Sequence, residues 1–379
     1  MILPNYKDGS ILNLMSTIQT NFGQKSEYNN LKELSSDELK SNSIIIFTID
    51  GLGHDYVENN KKSFLFKNLR GKMTTVFPSS TAPAVTTFFT GVSPAKHNIM
   101  GWYMYAKEIG TIILPFPYLT RLGRISAGIK LDARDFFTQS TIFDKIKNSY
   151  IVVPEDVINM DYNKILKGKA KKIGYKGMND FIRKIKNILE KDKKRKFIYA
   201  YYPDFDMVCH IYGKKSRHAA KLFKKLDKKL DSFTKKIKDT SIIVTSDHGH
   251  IDTDEKKTII LNKHPEILEC LERPLSGEPR AAYCYIKIGK EKKFEKYIGS
   301  KLSHACELYR SRELANRRWF GPEKPSKKLL ERIGDYVLVM KENYIIKDII
   351  IGEVDRHLIG NHGGTSAEEM FVPLIVIKK

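Results

Sequence analysis

Four short apolar segments most constrain the fold of this chain, because each has the length and composition of a buried strand. They are Ser43–Ile49, Phe197–Tyr202, Ser241–Val244 and Phe371–Ile377. Helical patterns lie between them, and continuous apolar strands that alternate with helices are typical of a mostly parallel sheet covered on both faces. The sequence therefore predicts an α/β fold built on such a sheet.

Aspartates follow the first three of these segments. Asp50 comes directly after the first, Pro203 and Asp204 follow the second, and Asp247 comes shortly after the third. Ligands of largely parallel sheets bind at the carboxyl ends of the strands. Three carboxylates are therefore expected to converge on one edge of the sheet, and this convergence favours a metal site.

The third of these strand ends reads TSDHGH, residues 245–250, with Asp247 and His248 side by side. A turn with a capping aspartate is the commoner explanation of one such dipeptide. The hypothesis of a metal site therefore depends on partners elsewhere in the chain.

Further candidate ligands are present. Asp206 and His210 are four residues apart, which places them on one face of a helical turn. His362 lies among glycines in GNHGG, just before the last strand. With the carboxylates at the strand ends they form a set of oxygen and nitrogen ligands that suits zinc, or less tightly manganese or iron. Each residue alone is more often structural, so the prediction rests on their combination.

Residues 73–102 are rich in Thr and Ser and almost free of charge, with turn residues followed by a helix-like stretch. A hydroxyl at a helix N-terminus gains from the aligned N–H groups, which stabilise an alkoxide or a bound phosphate. A metal bound to that hydroxyl makes it nucleophilic. A capped helix with interior threonines is the alternative explanation.

Composition narrows the class of protein. The four cysteines form no Cys-x-x-Cys pair, which predicts neither a zinc ribbon nor a disulfide scaffold and fits a reducing cytoplasm. No apolar run approaches the ~18–20 residues of a membrane span, and the first residues lack the pattern of a signal peptide. We therefore expect a cytoplasmic protein without a membrane segment.

Much of the net charge of +22 lies in residues 164–196 and 214–238. In the second stretch, apolar residues recur every three or four positions, which predicts an amphipathic helix with a basic, solvated face. A lysine-rich surface without a role and a field that attracts phosphate-bearing substrates both explain the charge. Zinc-finger and RNA-binding motifs do not accompany it, so no dedicated nucleic-acid module is predicted.

The order of these motifs resembles that of the alkaline phosphatase superfamily. The chain looks closest to its type I phosphodiesterase/nucleotide pyrophosphatase family, which also includes phosphonoacetate hydrolase. The motifs that carry the resemblance are Asp50, a threonine within 74–90, Asp206 with His210, Asp247 with His248, and His362 with Gly363. The resemblance spans residues 45–377 and implies a three-layer sandwich with a largely parallel central sheet and an inserted cap subdomain.

The cap is expected within residues 256–350, which contain strand-like pieces of their own, and residues 1–255 with 351–379 are expected to form the catalytic core. In family members such caps set substrate choice. Arg280, in GEPRAAY of this segment, is a candidate contact to a substrate phosphate, although an exposed arginine is the simpler interpretation.

The resemblance also selects the nucleophile. Family members carry it ten residues before the glycine of a Thr-Gly pair, and here Thr90-Gly91 points back to Thr81. An alignment on the Phe-Pro pair would instead favour the region of Thr75. Relatives often supply an Asn for the transferring oxygen directly after the nucleophile, and this chain does not. Backbone N–H groups or Asn98 are the candidates for that role.

The resemblance implies two divalent ions, most simply zinc, about 4 Å apart. It also implies a phosphothreonine intermediate that water then cleaves. The implied ligands of one ion are Asp50, Thr81, Asp247 and His248, and those of the other are Asp206, His210 and His362. His250 and Asp252 are predicted to orient these ligands.

The implied activity is hydrolysis of phosphodiester or pyrophosphate bonds in a small, nucleotide-like substrate. Diesters are favoured over monoesters because no arginine lies between Arg70 and Arg121 to oppose the extra charge of a monoester. Phe77, Trp102 and Tyr103 are expected to offer an apolar platform to the second ester group.

Other activities stay open to different degrees. Phosphonoacetate hydrolysis and phosphomonoester hydrolysis share the same core chemistry. Sulfatases are disfavoured because no cysteine lies in a Cys-x-Pro-x-Arg context, and a phosphoglycerate mutase-like enzyme would need Ser79 or Ser80 as its nucleophile. A basic nucleic-acid-binding protein is the non-enzymatic alternative, but every expected ligand position is filled.

Overall fold

The computed structural model describes residues 1–355 and 357–379. The strands, in chain order, are β1 Ser43–Ile49, β2 Leu69–Thr74, β3 Met104–Ala106, β4 Thr111–Leu114, β5 Leu119–Thr120, β6 Ser149–Pro154, β7 Lys171–Tyr175, β8 Lys196–Tyr202, β9 Thr240–Thr245, β10 Ile251–Asp252, β11 Thr258–Ile260, β12 Ser276–Glu278, β13 Ala281–Cys284, β14 Cys306–Arg310, β15 Tyr336–Met340, β16 Ile345–Lys347, β17 Gly360–Asn361 and β18 Phe371–Lys378.

The α-helices are α1 Ile11–Asn21, α2 His54–Glu58, α3 Phe64–Lys67, α4 Thr81–Thr90, α5 Pro94–His97, α6 Ala133–Phe136, α7 Ile142–Lys145, α8 Asp161–Ile165, α9 Gly177–Lys191, α10 Asp204–Tyr212, α11 Arg217–Thr234, α12 Pro265–Leu268, α13 Glu291–Tyr297, α14 Ser311–Asn316, α15 Lys327–Arg332 and α16 Ala367–Met370. Short 3₁₀ turns occupy Ser36–Leu39, Lys107–Ile109, Ala127–Ile129, Glu255–Lys257 and Leu261–Lys263, and a π turn occupies Ile298–Leu302.

A seven-stranded sheet in the order β2-β18-β9-β1-β8-β6-β7 forms the centre of the fold. Strands β9, β1, β8, β6 and β7 are parallel, whereas β18 runs antiparallel to both β9 and β2. All four predicted apolar segments are strands of this sheet. Pro373 lies where β18 pairs with β2, before its pairing with β9 begins at Ile375, so its missing N–H costs no bond to β9.

Helices cover both faces of this sheet. Successive side chains of a strand point to opposite sides, so a continuously apolar strand has two apolar faces to bury. In β1, Ile44 and Ile46 belong to the same apolar cluster as α1 and α4. Ile45 and Phe47 belong to the cluster that contains the apolar faces of α9 and α11. The arrangement confirms the predicted α/β three-layer architecture.

Helix α11 shows why its sequence, rich in lysine, forms a helix in this layer. Phe223, Leu226, Leu230 and Phe233 lie on one face and are buried, while most of the lysines between them are exposed. Ser216 caps the helix by accepting a hydrogen bond from the backbone N–H of Ala219. The prediction of an amphipathic helix with a basic solvated face is confirmed.

A second, antiparallel sheet lies within the segment 256–350, in the order β12-β13-β15-β14. One of its faces has an apolar cluster of its own, which includes Leu338 and Phe294. The other face shares the main core through residues such as Tyr283 and Val337. The boundaries of the cap therefore stay a prediction. Across the described residues, no helix is long and apolar enough to span a bilayer.

Candidate active site and metal centre

The candidate site lies at the carboxyl edge of the central sheet. Strand β1 pairs with β8 on one side and with β9 on the other, so the three strands end next to one another. Asp50 follows β1, Asp206 lies in the first turn of α10 after β8, and Asp247 lies two residues after β9. The structure thus brings together carboxylates that are about 40 to 200 residues apart in the sequence.

Asp50, Asp247 and His248 form one group, in which one ligand atom of each lies within 4.8 Å of the others. Asp247 Oδ1 accepts hydrogen bonds from the backbone N–H groups of Gly51 (3.2 Å) and His248 (3.1 Å). Asp247 Oδ2 and Asp50 Oδ1 are buried and have no hydrogen-bond partner among the described residues. A buried carboxylate oxygen without a partner is costly, and a cation is the partner that this chemistry suits.

Thr81 presents its hydroxyl to this group. It is the first residue of α4, its Oγ1 lies 3.1 Å from His248 Nε2, and it is 8% exposed. Thr75, the other candidate nucleophile, is fully buried and donates its hydroxyl to the carbonyl oxygen of Asp247. The geometry therefore favours Thr81 over Thr75.

A second group surrounds Asp206. Its Oδ1 lies 2.8 Å from His250 Nε2, 3.3 Å from His210 Nε2 and 4.0 Å from His362 Nε2. The ligand atoms of Asp206, His210 and His250 lie within 4.8 Å of one another, and so do those of Asp206, His248 and His362. All seven predicted ligands thus meet in one place, and His250 joins them.

The tautomers of the three predicted histidine ligands fit metal binding. Nδ1 of His210 lies 2.7 Å from the carbonyl oxygen of Gly360, and Nδ1 of His362 lies 3.2 Å from that of Ser79. Nδ1 of His248 lies 3.1 Å from the carbonyl oxygen of Gly249. Because a carbonyl only accepts, each Nδ1 carries a proton, which leaves Nε2, on the side of the carboxylates, as the atom that would bind a metal. Such backbone partners orient histidines at metal sites.

The electrostatics of the site also favour a bound cation. Burial, together with the carboxylates of Asp247 and Asp206, raises the pKa of Asp50 well above its usual value. Burial would also raise the pKa of Asp206, but the surrounding imidazoles outweigh it and lower that pKa. Burial and the adjacent imidazoles lower the pKa of His362. Divalent cations would relieve both the repulsion between carboxylates and the cost of their burial.

His250 and Asp252 are both predicted to orient the ligands, and their contacts in the structure differ. His250 Nε2 lies 2.8 Å from Asp206 Oδ1. Its Nδ1 is buried and has no hydrogen-bond partner within residues 1–355 and 357–379. Asp252, which the sequence predicts in the same role, instead accepts from the backbone N–H groups of Lys214 and Lys215 in the turn after α10.

We expect His250→Asn to weaken metal binding about 10- to 100-fold, because Asp206 loses the imidazole that orients it. Competition with a chromogenic chelator measures this affinity. His218→Asn is the matched control, since His218 stacks on Tyr212 outside the site. An unchanged affinity in His250→Asn would show that Asp206 is positioned without it.

Of the three predicted substrate contacts, the structure places only Trp102 in the cavities described below. Asn98 is turned away from the site: its side-chain amide donates to the carbonyl oxygen of Lys96, and its Oδ1 accepts from Ser326. Phe77, predicted as part of an apolar platform, is buried against Trp319 and Phe320 instead.

Arg280 is not the exposed arginine that the sequence suggests, because it is 1% exposed. Its guanidinium forms a bidentate pair with Glu369, at 3.1 and 2.8 Å, and also donates to the carbonyl oxygen of Tyr344. Glu369 accepts a hydrogen bond from the backbone N–H of Gly364 as well, two residues after His362. The pair therefore links the segment 256–350 to the turn that carries a candidate ligand.

We expect Arg280→Met to lower the free energy of unfolding by about 3–5 kcal/mol, since it leaves a buried carboxylate without its partner. Lys293→Met, which breaks an exposed pair with Glu269, should leave the free energy of unfolding nearly unchanged, because solvent screens such pairs. Urea unfolding of both variants makes the comparison. Equal effects of the two substitutions would contradict the structural role of Arg280.

Among the described residues, the remaining histidines belong to none of these groups of candidate ligands. His97 is buried, its Nε2 lies 3.2 Å from the hydroxyl of Thr87, and burial lowers its pKa to about 3. His264 contacts the hydroxyl of Tyr297. These contacts are packing or surface interactions.

Two cavities meet at the candidate nucleophile. The first, of about 950 Å³, is lined by aromatic residues that include Phe89, Phe116, Tyr162 and Tyr175. The second, of about 890 Å³, lies against the segment 256–350. Thr81, Trp102 and Asp206 line both. A substrate bound at Thr81 thus has room on two sides.

Glu278 is a residue of the second cavity that the sequence analysis missed. It stands two positions before Arg280 in GEPRAAY, and only the arginine of this segment was a predicted substrate contact. Its carboxyl accepts hydrogen bonds from the Ser80 hydroxyl and from the backbone N–H of Trp102 (2.6 Å). Burial raises its pKa to about 7.

Solved structures support the fold. Murine ectonucleotide pyrophosphatase/phosphodiesterase 5 is similar over 89% of this chain and 88% of its own, at 20% identity and a TM-score of 0.65. An inactive variant of that protein has been solved in complex with AMP. Phosphonoacetate hydrolase from Sinorhizobium meliloti 1021, in complex with phosphonoformate, is similar over 88% of this chain and 89% of its own, at 19% identity and a TM-score of 0.60.

Sequence comparison identifies the family. Among curated proteins no significant match is found. Residues 44–365, which contain every candidate ligand, match the family described as type I phosphodiesterase/nucleotide pyrophosphatase. The fold, the cluster at the strand ends and this match lead to one conclusion: the chain belongs to the type I phosphodiesterase/nucleotide pyrophosphatase family, whose members are hydrolases of phosphoric ester bonds.

Proposed function

We propose that this protein is a metal-dependent phosphodiesterase or nucleotide pyrophosphatase in which Thr81 attacks phosphorus. One observation carries the proposal. The Thr81 hydroxyl, at the start of α4, lies 3.1 Å from His248 Nε2. In the part of the chain that the structure describes, two buried carboxylate oxygens of the same group, Asp50 Oδ1 and Asp247 Oδ2, have no hydrogen-bond partner. A hydroxyl beside such a cluster is placed to become a nucleophile.

The donor set fits two divalent ions. The residues that would hold them are Asp50, Thr81, Asp247 and His248 on one side, and Asp206, His210 and His362 on the other. When bound, the ions supply Lewis-acid stabilisation of the negative charge that develops on oxygen, and zinc is the ion that this mixture of carboxylate and imidazole suits best.

Residues of the chain itself take part in the transfer of the phosphoryl group. As Thr81 Oγ1 forms a bond to phosphorus, its proton passes to solvent and the bond from phosphorus to the leaving oxygen breaks, which leaves a phosphothreonine. In the described structure no side chain caps α4, so the N–H groups of its first turn are available to the negative charge at this end of the helix. Water then cleaves the bond between phosphorus and the threonine oxygen and restores the hydroxyl.

The first cavity supports a nucleotide-like substrate. Its aromatic lining offers flat apolar surface to a base or another aryl group, while Thr81 lies at its edge. AMP is the ligand of the murine protein with a similar fold. We therefore propose that the group retained on phosphorus is a nucleoside or a group of similar shape.

Diesters are expected to be better substrates than monoesters. Arg121 lines the second cavity, but its guanidinium is engaged by Glu353 and Asp348. Arg280 is engaged by Glu369, so neither arginine is free to oppose the second charge of a monoester. We expect a higher kcat/KM for bis-(p-nitrophenyl) phosphate than for p-nitrophenyl phosphate, measured with metal-reconstituted protein.

Phosphonoacetate hydrolysis is the second candidate activity, because an enzyme of that activity shares the fold. Adding phosphonoacetate to the same substrate panel separates the candidates. A preference for it would assign the protein to cleavage of the carbon–phosphorus bond, and a preference for the monoester would assign it to phosphomonoester hydrolysis.

We further propose that residues 256–350 act as a cap that sets substrate choice, because residues of this segment line the second cavity.

We also propose a cytoplasmic location, which the four buried, unpaired cysteines support.

A further inference from the structure

Glu278 brings a carboxyl group from the end of β12 to the turn that carries the candidate nucleophile. Its Oε1 accepts from the hydroxyl of Ser80, the residue directly before Thr81, and from the backbone N–H of Trp102. Glu278 is 4% exposed and lines the same cavity as Thr81 and His362. It therefore lies beside the space in which a phosphoryl group would react.

Above its raised pKa, this carboxyl group carries a negative charge that no cationic side chain of the described residues pairs with. Within the described residues, Oε2 has no hydrogen-bond partner and no lysine or arginine forms an ion pair with Glu278. Two other carboxylates of the cavity, those of Glu353 and Asp348, differ because both are paired with Arg121. Arg124 also lines this cavity, but its side chain is exposed, so solvent screens its charge.

An unpaired acidic group is an unusual neighbour for a phosphate-binding site, because it repels the anion that the site has to bind. The repulsion grows with the charge of the ligand. A phosphodiester carries one negative charge, whereas a phosphomonoester carries two at a pH well above its second pKa of about 6. The negative charge that Glu278 carries above its pKa of about 7 therefore penalises the monoester more. Such penalties are a general source of specificity.

We propose that Glu278 is a specificity-determining residue that excludes phosphomonoester dianions from the Thr81 site and so favours diesters. The proposal rests on the proposed phosphodiesterase function. It also explains release of the product, since the nucleoside monophosphate left after hydrolysis of a diester is itself a monoester dianion.

Glu278→Gln tests the effect of the carboxylate charge separately from that of the hydrogen bonds that Glu278 accepts. The glutamine carbonyl oxygen still accepts from Ser80 and Trp102, so the turn keeps its hydrogen bonds while the charge is lost. Glu278→Asp keeps the charge. Ser80→Ala removes one hydrogen bond and leaves the charge in place, which makes it the control for a purely structural role.

Two measurements at about pH 8.5, where the monoester is a dianion, test the proposal on metal-reconstituted protein. One is the ratio of kcat/KM for bis-(p-nitrophenyl) phosphate to that for p-nitrophenyl phosphate. The other is calorimetric binding of methyl phosphate and dimethyl phosphate in a Thr81→Ala background, which needs no turnover.

We expect Glu278→Gln to lower the diester-to-monoester ratio about tenfold and to tighten binding of methyl phosphate relative to dimethyl phosphate by a similar factor. Glu278→Asp and Ser80→Ala should keep the wild-type ratio. The proposal is overturned if folded Glu278→Gln keeps the wild-type preference in binding, or if Ser80→Ala shifts it equally. A wild-type protein that hydrolyses neither ester would instead refute the proposed function, while the binding measurement would still decide the role of Glu278.

Discussion

Thr81→Ala is expected to lower kcat for a phosphodiester by about 10⁴-fold or more, because it removes the oxygen that forms the covalent intermediate. The metal ligands other than Thr81 are untouched, so the variant should retain bound metal. Steady-state rates with bis-(p-nitrophenyl) phosphate and elemental analysis of the same preparation give both results. Trapping of a phosphorylated protein in the wild type, and its absence in the variant, gives a readout that is independent of the rate.

Two controls define this experiment. Thr81→Ser keeps a hydroxyl and should retain measurable turnover. Thr75→Ala removes the hydrogen bond to the carbonyl oxygen of Asp247, which should cost about 1–3 kcal/mol of stability and leave the chemistry in place. If Thr75→Ala were the inactive variant and Thr81→Ala remained active, the assignment of the nucleophile would be wrong although the family would stand.

Removal of divalent metal is expected to abolish hydrolysis and to destabilise the fold. The buried oxygens of Asp50 and Asp247 lose their only partners, and the carboxylates of the cluster then repel one another. An ion present at 100 times its dissociation constant stabilises a protein by about 2.7 kcal/mol. Scanning calorimetry with and without a strong chelator measures this difference, and elemental analysis should find about two ions per chain.

Asp247→Asn should lose both metal and rate, since an amide is a weaker ligand than a carboxylate. Asp252→Asn is the matched control: Asp252 lies in the next strand and binds the turn after α10 rather than the cluster. Protein that contains no metal and keeps its full activity in a strong chelator would refute metal dependence.

The local pattern of the chain predicted the elements that carry the site. Segments of β1, β8, β9 and β18 are continuously apolar, so burial on both faces was evident without any structure. Strand β7 is partly exposed. The edge strand β2 alternates between half-buried and exposed positions before its last two residues, which are buried, so neither strand has a run of apolar residues that would reveal it.

The candidate ligands were predictable for a related reason. Each stands within a few residues of a strand end or on one helical turn, and the order of parallel strands brings such positions together. The direction of β18 was not predictable, because an apolar run reads the same whether its hydrogen bonds are parallel or antiparallel.

What the sequence determined by itself is local: which segments are buried strands, which helix has a basic face, and which side chains stand at the strand ends. Only the tertiary structure decided what Glu278, Arg280 and Asn98 do, because each of them has a partner that lies far away in the chain. Ser80 and Glu278 are separated by 198 positions, and Arg280 and Glu369 by 89. A charged residue in a loop or cap strand has no periodicity that reveals its burial. Whether it faces solvent, a buried counter-charge or the site depends on long-range packing alone.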